Sequence, residues 1–192
     1  IIELPSRDRV SAIKYHIEKN IVIVSKDLSS YLISLQTFKY RSNKMFLAIK
    51  SFSILENNDL LFTNYINTRF IKNCYFNFKN NTHLMQPKII VKDKRTYTSF
   101  YDKKKKETYI AFVDGLIQFD RIWKPRSIQY KNKPIYSKSI SKTTNDIVWV
   151  ASFKDGIYGI KNNVIIHHYS TLNGLTSNNI EKIKADKNKL WI

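Results

Sequence analysis

The segment YSKSISKTTNDIVWVASFKDGIYGIKNNVIIHHY (Tyr136–Tyr169) decides the fold. It contains four short runs rich in apolar and β-branched residues, and polar clusters separate the runs. Two of the clusters contain Asp155-Gly156 and Asn162-Asn163, which are typical of tight turns because Gly and Asn tolerate positive φ. The segment therefore predicts four antiparallel strands joined by short turns.

The same pattern recurs along the chain. Five residues occupy a shared reference position in the predicted second strand, and each follows an apolar residue eight or nine positions earlier across a polar turn. They are Val22, Leu61, Tyr109, Trp149 and Trp191, at intervals of 39, 48, 40 and 42 residues. We expect the extra residues of the longest interval within residues 62–96. Four strands in forty-odd residues are typical of a propeller blade, which buries its faces against neighbouring blades.

The predicted fold class is therefore all-β, built of four-stranded antiparallel β-propeller blades. The predicted units are approximately 1–48, 49–96, 97–135 and 136–179, followed by a partial unit at 180–192. Because the last unit stops at the apolar Leu190-Trp191-Ile192, we expect the chain to be a fragment of a larger propeller. A β-sandwich whose hairpins are similar by chance is the alternative.

Composition excludes several classes of protein. With 43% hydrophobic and 14% aromatic residues the chain is not disordered, and the single cysteine, Cys74, excludes an internal disulfide. The net charge of +18 suggests an anionic partner, but the lysines are scattered. We therefore expect a solvated basic surface and no nucleic-acid partner. The tract DKKKKE (Asp102–Glu107) falls in the polar turn of its unit, so a solvated turn is predicted, with an anion-binding loop as the alternative.

The residues Asn145–Ile192 carry a more specific pattern. It consists of Val148-Trp149-Val150, Asp155-Gly156, Ile157-Tyr158, the motif NGLTSN (Asn173–Asn178), and Ile180 with Ile183. This order resembles the two-component regulator propeller repeats. The resemblance extends back to about Tyr109 and is recognisable at residues 4–24, but between residues 25 and 96 the Asp-Gly and Gly-Leu-x-Ser elements are missing.

The resemblance implies a place in a signalling receptor. Such repeats build the extracytoplasmic sensor propellers of bacterial hybrid histidine kinases and related regulators. It implies a periplasmic location, a homodimeric receptor, and contact with the inner membrane only through segments outside this chain. The kinase or other output domain would also lie outside it.

The repeat residues themselves have structural roles in this interpretation. Trp149 and Trp191 fill the gap between neighbouring blades, and Leu175 closes the junction to the next blade. Three glycines, Gly115, Gly156 and Gly174, serve the turns, and Ser177 bonds local amides.

No catalytic or metal-binding constellation is predicted. Asp59, Asp102, Asp146 and Asp186 each lie in the same turn of successive units, where Asp is favoured. The adjacent His167 and His168 should point to opposite faces of a strand, His16 should lie in a hairpin turn, and His83 stands apart from them in the sequence. We therefore expect no metal, no cofactor and no catalytic residue in this segment.

One stretch, FDRIWKPRSIQYKNKP (Phe119–Pro134), combines aromatic and basic residues. Aromatic rings stack on sugar faces, and arginine can bind a carboxylate or sulfate. The predicted ligand-binding residues are Arg121, Trp123, Lys124, Arg126 and Tyr130. The alternative is that Trp123 is a buried strand residue of its blade.

The leading functional hypothesis is a non-catalytic, ligand-sensing propeller whose ligand is an oligosaccharide, which the charge suggests is anionic. One alternative is a propeller scaffold for protein–protein interaction or dimerisation. A second alternative is a polysaccharide-active enzyme.

Overall fold

The computed structural model describes residues 3–5, 7–43, 46–56, 59–71 and 87–192. Cys74 and His83 lie outside the described residues. Contacts divide the chain into two compact units, Ile1–Arg95 and Thr96–Ile192. No α-helix occurs among the described residues.

The first unit contains two four-stranded antiparallel sheets whose strands are ordered as in the sequence. The strands are β1 (Val10–His16), β2 (Ile21–Lys26), β3 (Ser30–Ser34) and β4 (Tyr40–Asn43) in one sheet, and β5 (Ser51–Ile54), β6 (Leu60–Thr63), β7 (Thr68–Ile71) and β8 (Lys88–Val91) in the next. The long connection of the second sheet falls between β7 and β8. It accounts for the extra length expected within residues 62–96, and most of it lies outside the described residues.

The second unit has the same construction, followed by a two-stranded sheet. The strands are β9 (Thr96–Asp102), β10 (Glu107–Phe112), β11 (Gly115–Phe119) and β12 (Pro125–Tyr130), extended by the short β13 (Lys133–Pro134); then β14 (Ser137–Lys142), β15 (Val148–Ser152), β16 (Ile157–Lys161) and β17 (Val164–Tyr169); then β18 (Lys184–Asp186) and β19 (Lys189–Trp191). A short 3-10 helix, Thr171–Asn173, follows β17. The predicted fold class, four-stranded antiparallel propeller blades, is confirmed.

Turn chemistry explains the strand boundaries around β16. Asn162 and Asn163 both have positive φ, 49° and 64°, as a two-residue hairpin turn requires. Gly174 ends the 3-10 helix in the left-handed region. Ser177 accepts a hydrogen bond from the amide of Asn179 at 3.0 Å, a local turn contact of the kind expected for this residue.

The core of the first unit lies between its two sheets. Ile21 and Ile23 of β2 pack against Leu60 and Phe62 of β6. Val22, which the sequence spacing placed at the reference position, lies on the other face of β2 with a separate apolar cluster. The spacing is misleading by one residue because a 3-10 helix, Ile17–Lys19, lengthens the β1–β2 turn. Since side chains alternate along a strand, a shift of one residue reverses the face.

Two apolar layers stabilise the second unit. In the first layer Tyr109, Ala111 and Leu116 of one sheet pack against Val148 and Val150 of the next.

The opposite face of β15 forms the second layer. Trp149 packs with Ile180 and Ile183, and Leu175 is among the partly buried residues that complete this layer. Trp191 is 61% exposed, and the neighbouring Leu190 packs into the layer instead. Leu190 lies on the face of β19 that meets the fourth sheet, and Trp191 lies on the opposite face. The expected role of Trp191 between two sheets stays a prediction.

Candidate ligand-binding site

Strand ends from two sheets of the second unit meet around one open cavity of about 290 Å³. Its lining residues are Tyr97 at the start of β9, Val113 in the β10–β11 turn, Tyr136 just before β14, and Phe153 with Lys154 in the β15–β16 turn. In both sheets, antiparallel pairing places the start of the first strand beside the end of the second strand. The pair Thr96–Phe112 shows this for β9 and β10, and the pair Ser137–Ser152 shows it for β14 and β15. We call these five lining residues the aromatic groove.

Three aromatic rings give the groove its character. The rings of Tyr97 and Phe153 meet edge to face, with centroids 4.8 Å apart and an interplanar angle of 68°. Both rings and that of Tyr136 are half-buried, and Val113 is 47% exposed. A half-buried ring supported from one side by another ring offers its remaining surface to a ligand.

Backbone hydrogen bonds hold the groove in place. The amide of Phe153 donates to the carbonyl of Tyr136 at 3.0 Å, which ties two of the aromatic residues together. The amides of Lys154 and Asp155 donate to Ser152 Oγ at 3.3 and 3.2 Å. The turn that carries Phe153 and Lys154 is thus ordered by contacts within the fold, as a preorganised site requires.

Two lysines lie beside the rings, and they differ in their partners. Lys138 Nζ lies 4.8 Å from the ring centroid of Phe153, forms an ion pair with Glu181, and donates to Asn179 Oδ1 at 3.2 Å. Lys154 Nζ lies 5.8 Å from the ring centroid of Tyr136. In the part of the chain that the structure describes, Lys154 has no carboxylate partner.

A second polar cluster lies at the far ends of β9 and β14. Lys142 Nζ contacts Asp102 at 2.7 Å and Asp146 at 2.9 Å, and Lys104 pairs with Asp146. Asp102, only 2% exposed, also accepts from the amide of Lys104. Asp102 has the turn role expected from the sequence, and Asp102 and Asp146 also form ion pairs that join two sheets, which the sequence did not predict.

The basic tract after Asp102 takes part in the same cluster. Lys104 reaches Asp146, and Lys105 donates to Asn162 Oδ1 at 2.9 Å. Hydrogen bonds from Lys104 and then Lys142 lower the pKa of the Asp146 carboxyl to about 2. Burial alone would lower the pKa of the Lys142 amine, but hydrogen bonds with Asp102 and Asp146 outweigh burial and raise it. The carboxylates of Asp102 and Asp146 balance the charges of Lys104 and Lys142, and we assign these ion pairs to sheet–sheet attachment.

The adjacent histidines of β17 lie on opposite faces of the strand. His167 stacks on Trp149, with an interplanar angle of 10°, and His168 stacks on Tyr158 at 8° with a centroid distance of 4.5 Å. Burial raises the pKa of the Tyr158 hydroxyl to about 12. His16 is the buried last residue of β1, not a turn residue as predicted, because the turn begins one residue later.

The predicted binding stretch falls at two separate places. The β11–β12 turn contains Arg121, Trp123 and Lys124, and both basic residues are exposed. Trp123 is half-buried, and its ring centroid lies 6.0 Å from that of Phe119. The alternative of a buried strand position for Trp123 is wrong, because the residue has a left-handed φ of 65° in the turn.

The other two residues of that stretch lie on β12. Arg126 is exposed, and Tyr130 packs against Tyr158 and His168 of the next sheet. Four residues of strand place Arg126 and Tyr130 about 13 Å apart. Among the described residues, no ring contact joins Trp123 to Tyr130, which packs against Tyr158 and His168 instead. Binding at the five predicted residues stays a prediction.

Among the described residues, no group of three or more His, Cys, Asp or Glu could hold a metal ion. The same residues contain no helix long and apolar enough to cross a membrane.

No family model matches the sequence, and no curated protein matches it. Solved structures do match, and those described below share 12–17% of their residues with this chain. PorZ, a surface component of the type-IX secretion system of Porphyromonas gingivalis, has a TM-score of 0.75 and 12% identity over 93% of this chain and 29% of PorZ. The extracellular domain of a one-component system from B. thetaiotaomicron has a TM-score of 0.71 and 17% identity over 98% of this chain and 27% of that chain.

Enzymes and further receptors share the fold. Virginiamycin B lyase from Staphylococcus aureus has a TM-score of 0.66 and 14% identity over 90% of this chain and 58% of the lyase. Extracellular domains of hybrid two-component systems from B. thetaiotaomicron also match, with TM-scores of 0.67 and 0.62 at 14% and 16% identity. The chain spans less than a third of the length of the secretion and receptor proteins. At these identities the matches show the propeller fold.

Proposed function

We propose that this chain is a non-catalytic, ligand-binding propeller domain of a bacterial signalling receptor, and that it binds a carbohydrate in the aromatic groove. The observation that carries the proposal is the groove itself. It brings together Tyr97, Tyr136 and Phe153 from two sheets around an open cavity.

The chemistry of the groove supports a sugar ligand. The apolar face of a sugar ring stacks on an aromatic side chain, while its hydroxyls need polar partners at the rim, and amphipathic aromatic residues such as tyrosine supply both. The volume of about 290 Å³ is near the lower end of the range for small-molecule sites, roughly 300–1,000 Å³. The groove would therefore hold a small part of an oligosaccharide, with the remainder in solvent.

The receptor assignment has separate support. Its basis is the repeat resemblance in residues 145–192 together with the fold shared with extracellular receptor domains. We propose an extracytoplasmic location and a homodimeric receptor, in which ligand binding biases one of two arrangements of the dimer. Output would pass through segments outside this chain.

Calorimetric titration of the 192-residue chain with neutral and acidic oligosaccharides tests the binding proposal. Phe153→Ala should weaken binding of any sugar that binds by about 2- to 13-fold, since it removes a ring contact worth roughly 0.5–1.5 kcal/mol. Trp123→Ala is the matched control, because it removes an aromatic ring from the other predicted location. If Trp123→Ala abolishes binding and Phe153→Ala does not, the groove is the wrong site.

The enzyme alternative is tested with the same sugars, because lyases share this fold. Mass spectrometry after prolonged incubation should show each bound oligosaccharide unchanged. A shortened or unsaturated product would contradict the non-catalytic proposal.

A further inference from the structure

We propose that the aromatic groove selects an acidic sugar, and that Lys154 is the residue that binds the acidic group. This inference rests on the proposed function, because it names the class of sugar that the same groove takes. The two lysines beside the rings, Lys138 and Lys154, have different surroundings.

Lys138 is already neutralised within the fold. Its ammonium group is paired with the carboxylate of Glu181 and hydrogen-bonded to Asn179. A ligand anion at this lysine would have to compete with Glu181, whose charge would also repel it. Lys138 therefore contributes little net positive charge to the groove.

Lys154 is in the opposite situation. Its side chain is exposed at the rim, its ammonium group lies 5.8 Å from the Tyr136 ring centroid, and it has no carboxylate partner among the described residues. The backbone amide of this residue donates a hydrogen bond to Ser152 Oγ at 3.3 Å, which fixes its position. One uncompensated positive charge thus stands next to the ring on which a sugar would stack.

A sugar ring that carries one carboxylate or sulfate matches this arrangement. The ring face contacts the aromatic surface, and the anionic group on its edge reaches the ammonium group of Lys154. The ion pair is exposed to solvent, so it changes affinity by a modest factor of about 2–5. It provides selectivity between acidic and neutral sugars that are otherwise alike.

The test is calorimetry on the 192-residue chain with paired ligands. One pair is a galacturonic acid tetramer and its methyl ester, which keeps the rings and removes the charge. The other pair is a sulfated galactan tetramer and its desulfated form, which distinguishes sulfate from carboxylate as the preferred group.

The variant that carries the test is Lys154→Met, which keeps the length of the side chain. Its matched control is Lys103→Met, an exposed lysine of the β9–β10 turn, beyond the end of β9 opposite Tyr97. We expect the acidic member of at least one pair to bind about 2–5-fold more tightly than its neutral counterpart. Lys154→Met should remove that difference, and Lys103→Met should preserve it.

Glu181→Gln provides an independent check. Freeing Lys138 from its partner should strengthen binding of the acidic sugar and leave the neutral one unchanged; no change for the acidic sugar would contradict the neutralisation argument. If acidic and neutral members bind equally, or if Lys103→Met lowers acidic binding as much as Lys154→Met does, the inference is overturned while sugar binding stands. If no sugar of either kind binds, the proposed function fails first.

Discussion

Gly156 provides a quantitative test of the blade geometry. The residue has a φ of 82°, and a Cβ added there would lie 2.0 Å from the carbonyl oxygen of Tyr169, with further backbone atoms at 3.0 and 3.1 Å. An ordinary carbon–oxygen contact is about 3.3 Å. In Gly156→Ala the turn would therefore have to move by roughly 1 Å away from β17, because backbone cannot rotate aside as a side chain can.

That movement has a calculable cost. The left-handed backbone costs an alanine about 1–2 kcal/mol. The shift also strains two backbone hydrogen bonds, from the Gly156 amide to Asn178 at 2.9 Å and from the Ser152 amide to the Gly156 carbonyl at 2.8 Å. At about 1 kcal/mol for each bond, the expected total loss of unfolding free energy is about 3–4 kcal/mol.

Gly174→Ala is the matched control for this experiment. Gly174 also has a positive φ, 109°, but nothing lies within 4 Å of its added Cβ. It should therefore lose only the backbone contribution of about 1–2 kcal/mol. Urea denaturation followed by tryptophan fluorescence measures both variants. Equal losses for the two alanine variants would refute the close approach of the turn to β17.

Three further perturbations have defined outcomes. The buried Trp149 indole N–H donates to Thr143 Oγ1 at 3.1 Å. Thr143→Val removes this acceptor and should lower the unfolding free energy, measured by urea denaturation, by about 2 kcal/mol, whereas Thr143→Ser should remain near wild type. Equal stability of the two variants would contradict this role of Thr143. The fold lowers the pKa of Asp146 from 3.8 to about 2, so the stability that this carboxylate contributes is present above about pH 4 and is lost as the pH falls towards 2. Asp146→Asn should lack this part of the acid dependence of the unfolding free energy. An unchanged acid profile in the variant would count against the ion pairs. Burial raises the pKa of Tyr158 from 10 to about 12, so the stability that this hydroxyl contributes is present below pH 10 and is lost as the pH rises through 12. Tyr158→Phe should remove this part of the alkaline dependence of the unfolding free energy. The same alkaline dependence in the variant would contradict the assignment to Tyr158.

The fourth sheet could be predicted from the sequence nearly residue by residue. Its strands alternate clearly, and Asp155-Gly156 and Asn162-Asn163 mark two of its turns. The first sheet was harder to place. A 3-10 helix after His16 lengthens the first turn, so the nine-residue spacing from Ile13 places Val22 on the wrong face.

The aromatic groove could not be predicted in the same way. Its members are single residues at strand ends, and Tyr97, Val113, Tyr136 and Phe153 are far apart in the sequence. Only the pairing of strands within two sheets brings them together. Arg126 and Tyr130, by contrast, are close in sequence but lie near opposite ends of an extended strand.

The most direct test of the account is an NMR titration of the isotopically labelled chain with an oligosaccharide that binds in calorimetry. If the sugar binds in the aromatic groove, the largest chemical-shift changes should occur at Tyr97, Val113, Tyr136, Phe153 and Lys154. Changes concentrated instead at the β11–β12 turn, or spread over the basic surface without a centre, would contradict binding in the aromatic groove.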